Sequence, residues 1–305
     1  NIDINIKCGN SLLSRFALKE NLSKSLKSIK YTFDDYKKFV SDYKNATDKD
    51  EKKGYLKIIS DIKDTITATF FQNSKENKSL ARTRGEYQSL VFNRVNLFGD
   101  KLKGEKYELE KKRLELLMER DEKKIADIKN NIVFKNAFEW RFEFPEVLNN
   151  DGEFEGFDLI IGNPPYIRRT DLDENIKNIY ETKYMSAVKQ YDLYLLFNEL
   201  GINVLKKKGY LSFINPMFFT NEYGTGLRKF LLSNNQILQV VDISQFNVFG
   251  NVSTYPSINL IRKIKIQENK IEFYSKENIH IDNNLNLKNP LYFIQNSFLE
   301  NLGHK

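Results

Sequence analysis

Ile2, Ile4 and Ile6 alternate with Asp3, Asn5 and Lys7, a period of two that predicts a short strand, and Cys8 to Leu13 follow as a polar turn. From about Glu20 to Asn131 the period changes. This stretch is rich in lysine, free of proline, and its apolar residues recur at helical spacing. Thr32, followed by Asp34 and Asp35, reads as the cap of one helix. Tyr55, Leu56, Ile58, Ile59, Ile62 and Ile66 predict a second over about 50–71. Leu109, Leu114, Leu117, Ile125 and Ile128 predict a third over about 105–130, and such helices are expected to pack as antiparallel hairpins. Arg82, Arg84 and Arg94 among them can touch phosphate, cap helices or stay solvated.

The pattern then shortens. Val133 to Leu148 is an aromatic passage holding Trp140 and a Phe144-Pro145-Glu146-Val147 corner, expected to pin the helical stretch to a sheet. Leu159, Ile160 and Ile161 form a continuous apolar run closed by Gly162, which predicts a strand buried on both faces. A helix starts at Tyr191–Phe197 and is expected to end at Lys206-Lys207-Lys208-Gly209, where cations suit the dipole and glycine closes the turn. Strands are predicted at 210–214, 237–243 and 258–261, with a short helix at 227–232 between the first two. Strands alternating with helices make this an α/β protein. Beyond Lys263 the chain turns Asn- and Lys-rich, with Asn283 and Asn284, and reads as an exit linker.

The residues after the apolar run carry the candidate chemistry. In open α/β sheets, ligands bind beyond the carboxyl ends of the strands, which is where Asn163-Pro164-Pro165-Tyr166 falls. Two successive prolines fix φ and remove two donors, leaving the Pro164 carbonyl and the Asn163 side chain little local freedom. Tyr166 adds a flat face. Two neutral acceptors beside a stacking ring suit a planar group with an exocyclic amine, and adenine is one. An aromatic amine is a poor nucleophile because its lone pair is delocalised. If Asn163 Oδ1 and the Pro164 carbonyl each accept one N–H, the nitrogen moves toward sp3 and its lone pair can reach an electrophilic methyl. The plainer alternative is that the prolines end a strand and Tyr166 packs.

Composition bounds the rest. At 305 residues the chain can bury a sizeable core plus a second unit, and its net charge of +7 with pI near 9.1 suits a polyanionic partner as well as it suits solvated lysine faces. Cys8 is the single cysteine and the two histidines, His280 and His304, lie far downstream, so neither a disulfide framework nor a metal site is expected. No apolar run approaches a membrane span, and a cytoplasmic location is expected.

Phe-x-Trp at 138–140, Phe144-Pro145-Glu146-Val147, then Gly156-Phe157-Asp158-Leu159-Ile160-Ile161-Gly162-Asn163-Pro164-Pro165-Tyr166 together resemble the adenine-N6 DNA methyltransferases of type IIG restriction-modification enzymes. The resemblance implies a partial Rossmann-like core that uses S-adenosylmethionine, at 1–19 and 133–263, interrupted by a helical insertion at 20–132, with 264–305 as linker. It implies catalysis by Asn163, Pro164, Pro165 and Tyr166, with the flipped adenine stacked between Tyr166 and Phe249. Asn10 or Ser11 would contact the cofactor's adenine, and Asp192 belongs to a segment walling the cofactor and target pockets. Arg168 and Arg169 would hold phosphates flanking the extruded base. Each has a plain alternative: turn chemistry for Asn10, an N-cap for Asp192, a surface role for the arginines, core for Phe249.

The family's glycine-rich cofactor loop and a target-recognition domain are not found, nor a nuclease constellation. The implied partners are therefore double-stranded DNA and the rest of a longer polypeptide. The chain alone is expected to bind S-adenosylmethionine poorly and to methylate nothing. Competing functions are protein-glutamine methylation, whose motif also runs Asn-Pro-Pro-Tyr-Ile, and a non-catalytic DNA-docking module of a restriction complex.

Overall fold

The computed structural model describes residues 5–19, 31–72, 74–95, 98–130, 136–246, 249, 255–266, 269–281, 285–287 and 290–295. The chain divides into two compact units, Asn1–Phe154 and Glu155–Lys305, each taken by itself.

The N-terminal unit is helical. α1 (Phe33–Asn45) opens on a full capping box, in which the Thr32 hydroxyl accepts from Asp35 N–H and the Asp35 carboxylate from Thr32 N–H. α2 (Lys49–Gln72), α3 (Lys75–Asn93) and α4 (Glu105–Asn130) follow, the second and fourth nearly on their expected bounds. Tyr36, Val40 and Tyr43 of α1 and Ile59 and Ile62 of α2 are buried with Phe142 and Leu148 in one cluster. The aromatic passage thus packs on α1 and α2, where the Tyr36 hydroxyl donates to the Phe142 carbonyl at 2.6 Å. Arg82 pairs with Glu86 and Arg84 with Glu122, while Arg94 takes the left-handed cap position of α3. These three residues serve the helices.

The described part of the expected first strand shows no strand pairing. Residues 2–4 lie outside the described ones, and Ile6 to Cys8 form no ladder. A strand exists through its neighbour, and the one bridge nearby joins Asn10 to Ala137 alone.

The C-terminal unit is mixed α/β, in agreement with the expected class. β1 (Phe157–Gly162) leads through α5 (Glu174–Lys183) and α6 (Leu193–Val204) to β2 (Leu205–Pro216), then α7 (Thr225–Asn234), β3 (Gln236–Asp242), β4 (Pro256–Arg262) and β5 (Lys270–Tyr274). β6 (Ile279–Ile281) pairs with β7 (Leu285–Leu287), and β8 (Leu291–Ile294) is the last strand described. The six-stranded sheet runs β1-β2-β4-β3-β5-β8. β1 is parallel to β2 and β3 to β5, while β4 lies between β2 and β3 antiparallel to both. Residues 264–305, read as a linker, therefore carry two strands of this sheet over their described part.

α6 is buried on nearly every side, as a helix with apolar residues all round must be, and Gly201 brings it so close to β2 that a Cβ there would sit 2.7 Å from Leu211 Cδ1. β1 departs from expectation. It pairs on one side only among the described strands, and Leu159 and Ile161 are 56% and 72% exposed, so it stands at the edge of the described sheet with one face uncovered. The three lysines also differ from their expected place. α6 stops at Val204, and Lys206 to Gly209 form a bulge within β2, where Lys206 pairs with Asp158 at 3.1 Å and Lys208 takes a positive φ of 72°.

Candidate functional site

Parallel pairing fixes the direction of β1, so Asn163 to Tyr166 leave its carboxyl end beside the end of β2, with Gly162 opposite Phe213 in register. Asn163 and Pro165 are exposed, Pro164 is buried and Tyr166 half-buried. No described hydrogen bond engages the Asn163 carboxamide or the Pro164 carbonyl. Both acceptors are therefore unspent among the described bonds, one on an exposed residue and one on a buried residue.

Tyr166 is held from two directions. Its hydroxyl donates to the Ile214 carbonyl of β2 at 3.3 Å, and its ring meets Tyr194 of α6 edge-on, centroids 6.1 Å apart and planes at 78°. Partial burial raises the phenol above its ordinary value, so it stays protonated and able to make that bond.

The residues that follow are stitched to the start of α6. Arg169 N–H donates to the Tyr191 carbonyl at 2.9 Å, Leu193 N–H to the Ile167 carbonyl at 2.8 Å, and Arg168 bridges Asp192. Asp192 precedes α6 but its carboxylate makes no capping bond. Desolvation pushes that carboxyl up, and the nearby Arg168 charge partly offsets it. The two arginines differ. Arg169 is committed to Glu181 at 2.7 Å, whereas Arg168 is exposed and makes no ion pair among the described residues. Sequence reasoning treats them alike because the partner, Glu181, arrives from α5.

Two buried charges without a motif of their own hold the neighbouring loops. Glu199 accepts from Met185 N–H at 3.1 Å and Ser186 N–H at 2.7 Å, fixing the loop between α5 and α6. Arg228 donates to the carbonyls of Phe218 and Asn221 at 2.8 and 2.6 Å and to the Thr225 hydroxyl at 3.1 Å, fixing the loop after β2. Their signal in sequence is only a charge inside an apolar helical pattern.

Phe249 is half-buried in the loop after β3, whose residues 247–248 and 250–254 lie outside the described ones. Asn10 and Ser11 belong to the N-terminal unit. There the Asn10 side-chain oxygen accepts from Leu12 N–H at 3.1 Å, which closes its own turn, and the Ser11 carbonyl accepts from Trp140 Nε1 at 3.1 Å. Among the described residues no group of three or more His, Cys, Asp or Glu is arranged to hold a metal, and no helix is long and apolar enough to cross a membrane.

The family model described as Eco57I restriction-modification methylase matches residues 86–249, more than half of the chain. The chain belongs to that family. It is 39% identical over 111 residues to the type II restriction enzyme and methyltransferase RM.Eco57I of Escherichia coli, covering 35% of this chain and 11% of that protein. The type II methyltransferase M.BstVI of Geobacillus stearothermophilus is 33% identical over 108 residues, covering 35% and 19%. The solved type I restriction-modification methyltransferase subunit of Streptococcus thermophilus overlaps 93% of this chain and 84% of its own, at 13% identity and a TM-score of 0.33. The aligned segments thus cover a fifth or less of the two type II relatives' length.

Proposed function

We propose that this chain is the catalytic part of a restriction-modification enzyme that transfers a methyl group from S-adenosylmethionine to N6 of an adenine flipped out of double-stranded DNA. The observation that carries the reading is the tip of β1, where Asn163 is exposed and no described bond engages its carboxamide or the Pro164 carbonyl, beside an anchored Tyr166. Family membership supports the methyl-transfer half. The acceptor pair suits any exocyclic amine, and the choice of adenine rests on the resemblance carried by residues 138–166.

Asn163 Oδ1 and the Pro164 carbonyl each accept one N–H of the amine, which withdraws the lone pair from the ring and aims it outward. Tyr166 stacks on one face of the base and Phe249 on the other, which offsets part of the cost of unstacking, about a few kcal/mol. The nitrogen keeps the new N–C bond and gives its surplus proton to water. When bound, S-adenosylmethionine supplies a methyl on a positively charged sulfur. Of the residues assigned to it, Asp192 fits, being a half-buried carboxylate with no capping bond. Arg168 is the better phosphate contact, since Arg169 is paired with Glu181. The reaction takes place in the cytoplasm, in a longer polypeptide that contributes the cofactor loop and target recognition, with or without a nuclease.

The test is methyl transfer from tritiated S-adenosylmethionine by the intact protein containing this chain, offered DNA and a glutamine-bearing protein side by side. Label in DNA that disappears in Asn163→Ala supports the proposal. Label in protein assigns the chain to glutamine methylation, and label in DNA unchanged by Asn163→Ala makes it a docking module.

A further inference from the structure

Beneath the tip of β1 lies a chain of buried side chains that no step above uses. Asn198 of α6 is fully buried, and its amide donates to the Tyr194 carbonyl at 2.7 Å and to Asn215 Oδ1 at 3.0 Å. Asn215 of β2, also fully buried, donates in turn to the Pro216 carbonyl at 3.0 Å. From β4, the Ser257 hydroxyl donates to the Asn215 carbonyl at 3.4 Å and exchanges a bond with Asn259. A carboxamide set in a helix otherwise walled by Leu193, Leu195, Leu196 and Leu200 costs desolvation that a leucine would avoid. Its Oδ1 is buried with no partner among the described residues, so the bonds of this side chain are made by its two donors.

Both donors end on supports of Tyr166. Tyr194 is the residue whose ring meets Tyr166 edge-on, and Asn215 directly follows Ile214, whose carbonyl receives the Tyr166 hydroxyl. The bond to the Tyr194 carbonyl lies within α6 and the bond to Asn215 Oδ1 crosses to β2, so one amide group ties the turn of α6 that carries Tyr194 to the end of β2 that carries Ile214. We infer that Asn198 is a positioning residue that sets the tilt and height of the Tyr166 ring, and through it the stacking of the target base against the Asn163 and Pro164 acceptors. This rests on the methyl-transfer reading above. Small displacements at such a site are costly, because a misplacement of about 1 Å can lower a rate on the order of a hundredfold.

The experiment is a double-mutant cycle in the intact protein on DNA, with kcat and KM measured for wild type, Asn198→Leu, Tyr166→Phe and the pair. Leucine fills the site and makes neither bond. Asn198→Leu is expected to lower kcat roughly tenfold, or about 1.4 kcal/mol, with KM for DNA within about twofold and the thermal midpoint retained. Because Asn198 acts through Tyr166, the double variant is expected to fall within about twofold of the poorer single variant. If the two effects multiply, or if the loss appears in KM or tracks the midpoint, the positioning role is overturned. Asn198→Ser, which is too short to reach both acceptors, replaces Asn198→Leu if that variant does not fold. A wild-type protein that places no methyl on DNA overturns the underlying reading instead, so the two failures are told apart.

Discussion

Gly156→Ala is the sharpest structural perturbation this fold offers. Gly156 sits one residue before β1 with a φ of +100°, in the left-handed region that L side chains rarely adopt. A Cβ there would lie 2.5 Å from the Val204 carbonyl oxygen, 2.7 Å from Leu205 C and 2.8 Å from Lys206 N. All three atoms are backbone at the junction of α6 and β2, so no side chain can swing aside. The conformational cost is about 1–3 kcal/mol, and forcing a methyl into a filled site adds about 1–3 kcal/mol. The expected loss is therefore about 2–6 kcal/mol, a large share of the roughly 5–15 kcal/mol that holds a domain together. The entry to β1 would move, and Asn163 stands just past the other end of that strand. Urea unfolding followed by far-ultraviolet circular dichroism reads the stability, and amide exchange across residues 157–162 reads the strand. A midpoint loss equivalent to less than about 1 kcal/mol, with exchange of β1 unchanged, would refute the argument from close approach.

Other outcomes follow from the same geometry. Gly54 in α2 and Gly85 in α3 have nothing within 4 Å of the point where an added Cβ would stand and lie within their helices, so Gly54→Ala and Gly85→Ala should each raise stability by about 0.5–1 kcal/mol, read by thermal melting. Tyr36→Phe removes a buried 2.6 Å hydrogen bond to the Phe142 carbonyl, which should cost about 0.5–1.5 kcal/mol in urea unfolding. Asp192 has a carboxyl raised in the folded state by desolvation, so its penalty is fully present above that raised value and disappears as pH falls through it. Asp192→Asn should thus melt higher than wild type at pH 7, with the gap closing as pH approaches about 4, the ordinary carboxylate range.

Much of the helical architecture was legible because its signals are local. The Thr32 cap with Asp35 three residues on specified the start of α1, and the leucine and isoleucine spacing of 109–128 specified α4. The strands of the sheet were legible in number near the tip but not in coverage. Leu159, Ile160 and Ile161 read identically in a central strand and in an edge strand, because which strands pair is decided by the chain elsewhere. The lysines at 206–208 read as a helix end for a similar reason, since cations suit both a helix terminus and a solvated bulge. α5 and β5 to β8 escaped because Asn and Lys are frequent in and around them, and it is pairing with β3 and β8 that makes a strand of Lys270–Tyr274. At the site, the tetrad was visible in the sequence. Its supports were not, because Tyr194 and Ile214 reach Tyr166 across 28 and 48 positions of chain.

The account stands on two acceptors gripping one amine at the tip of β1. Its most direct test is nucleoside analysis of DNA recovered from cells carrying the intact protein, wild type or Asn163→Ala, at matched expression. Wild type should yield N6-methyladenine and Asn163→Ala none above background. Equal N6-methyladenine from both, or its absence from the wild type, would contradict the account.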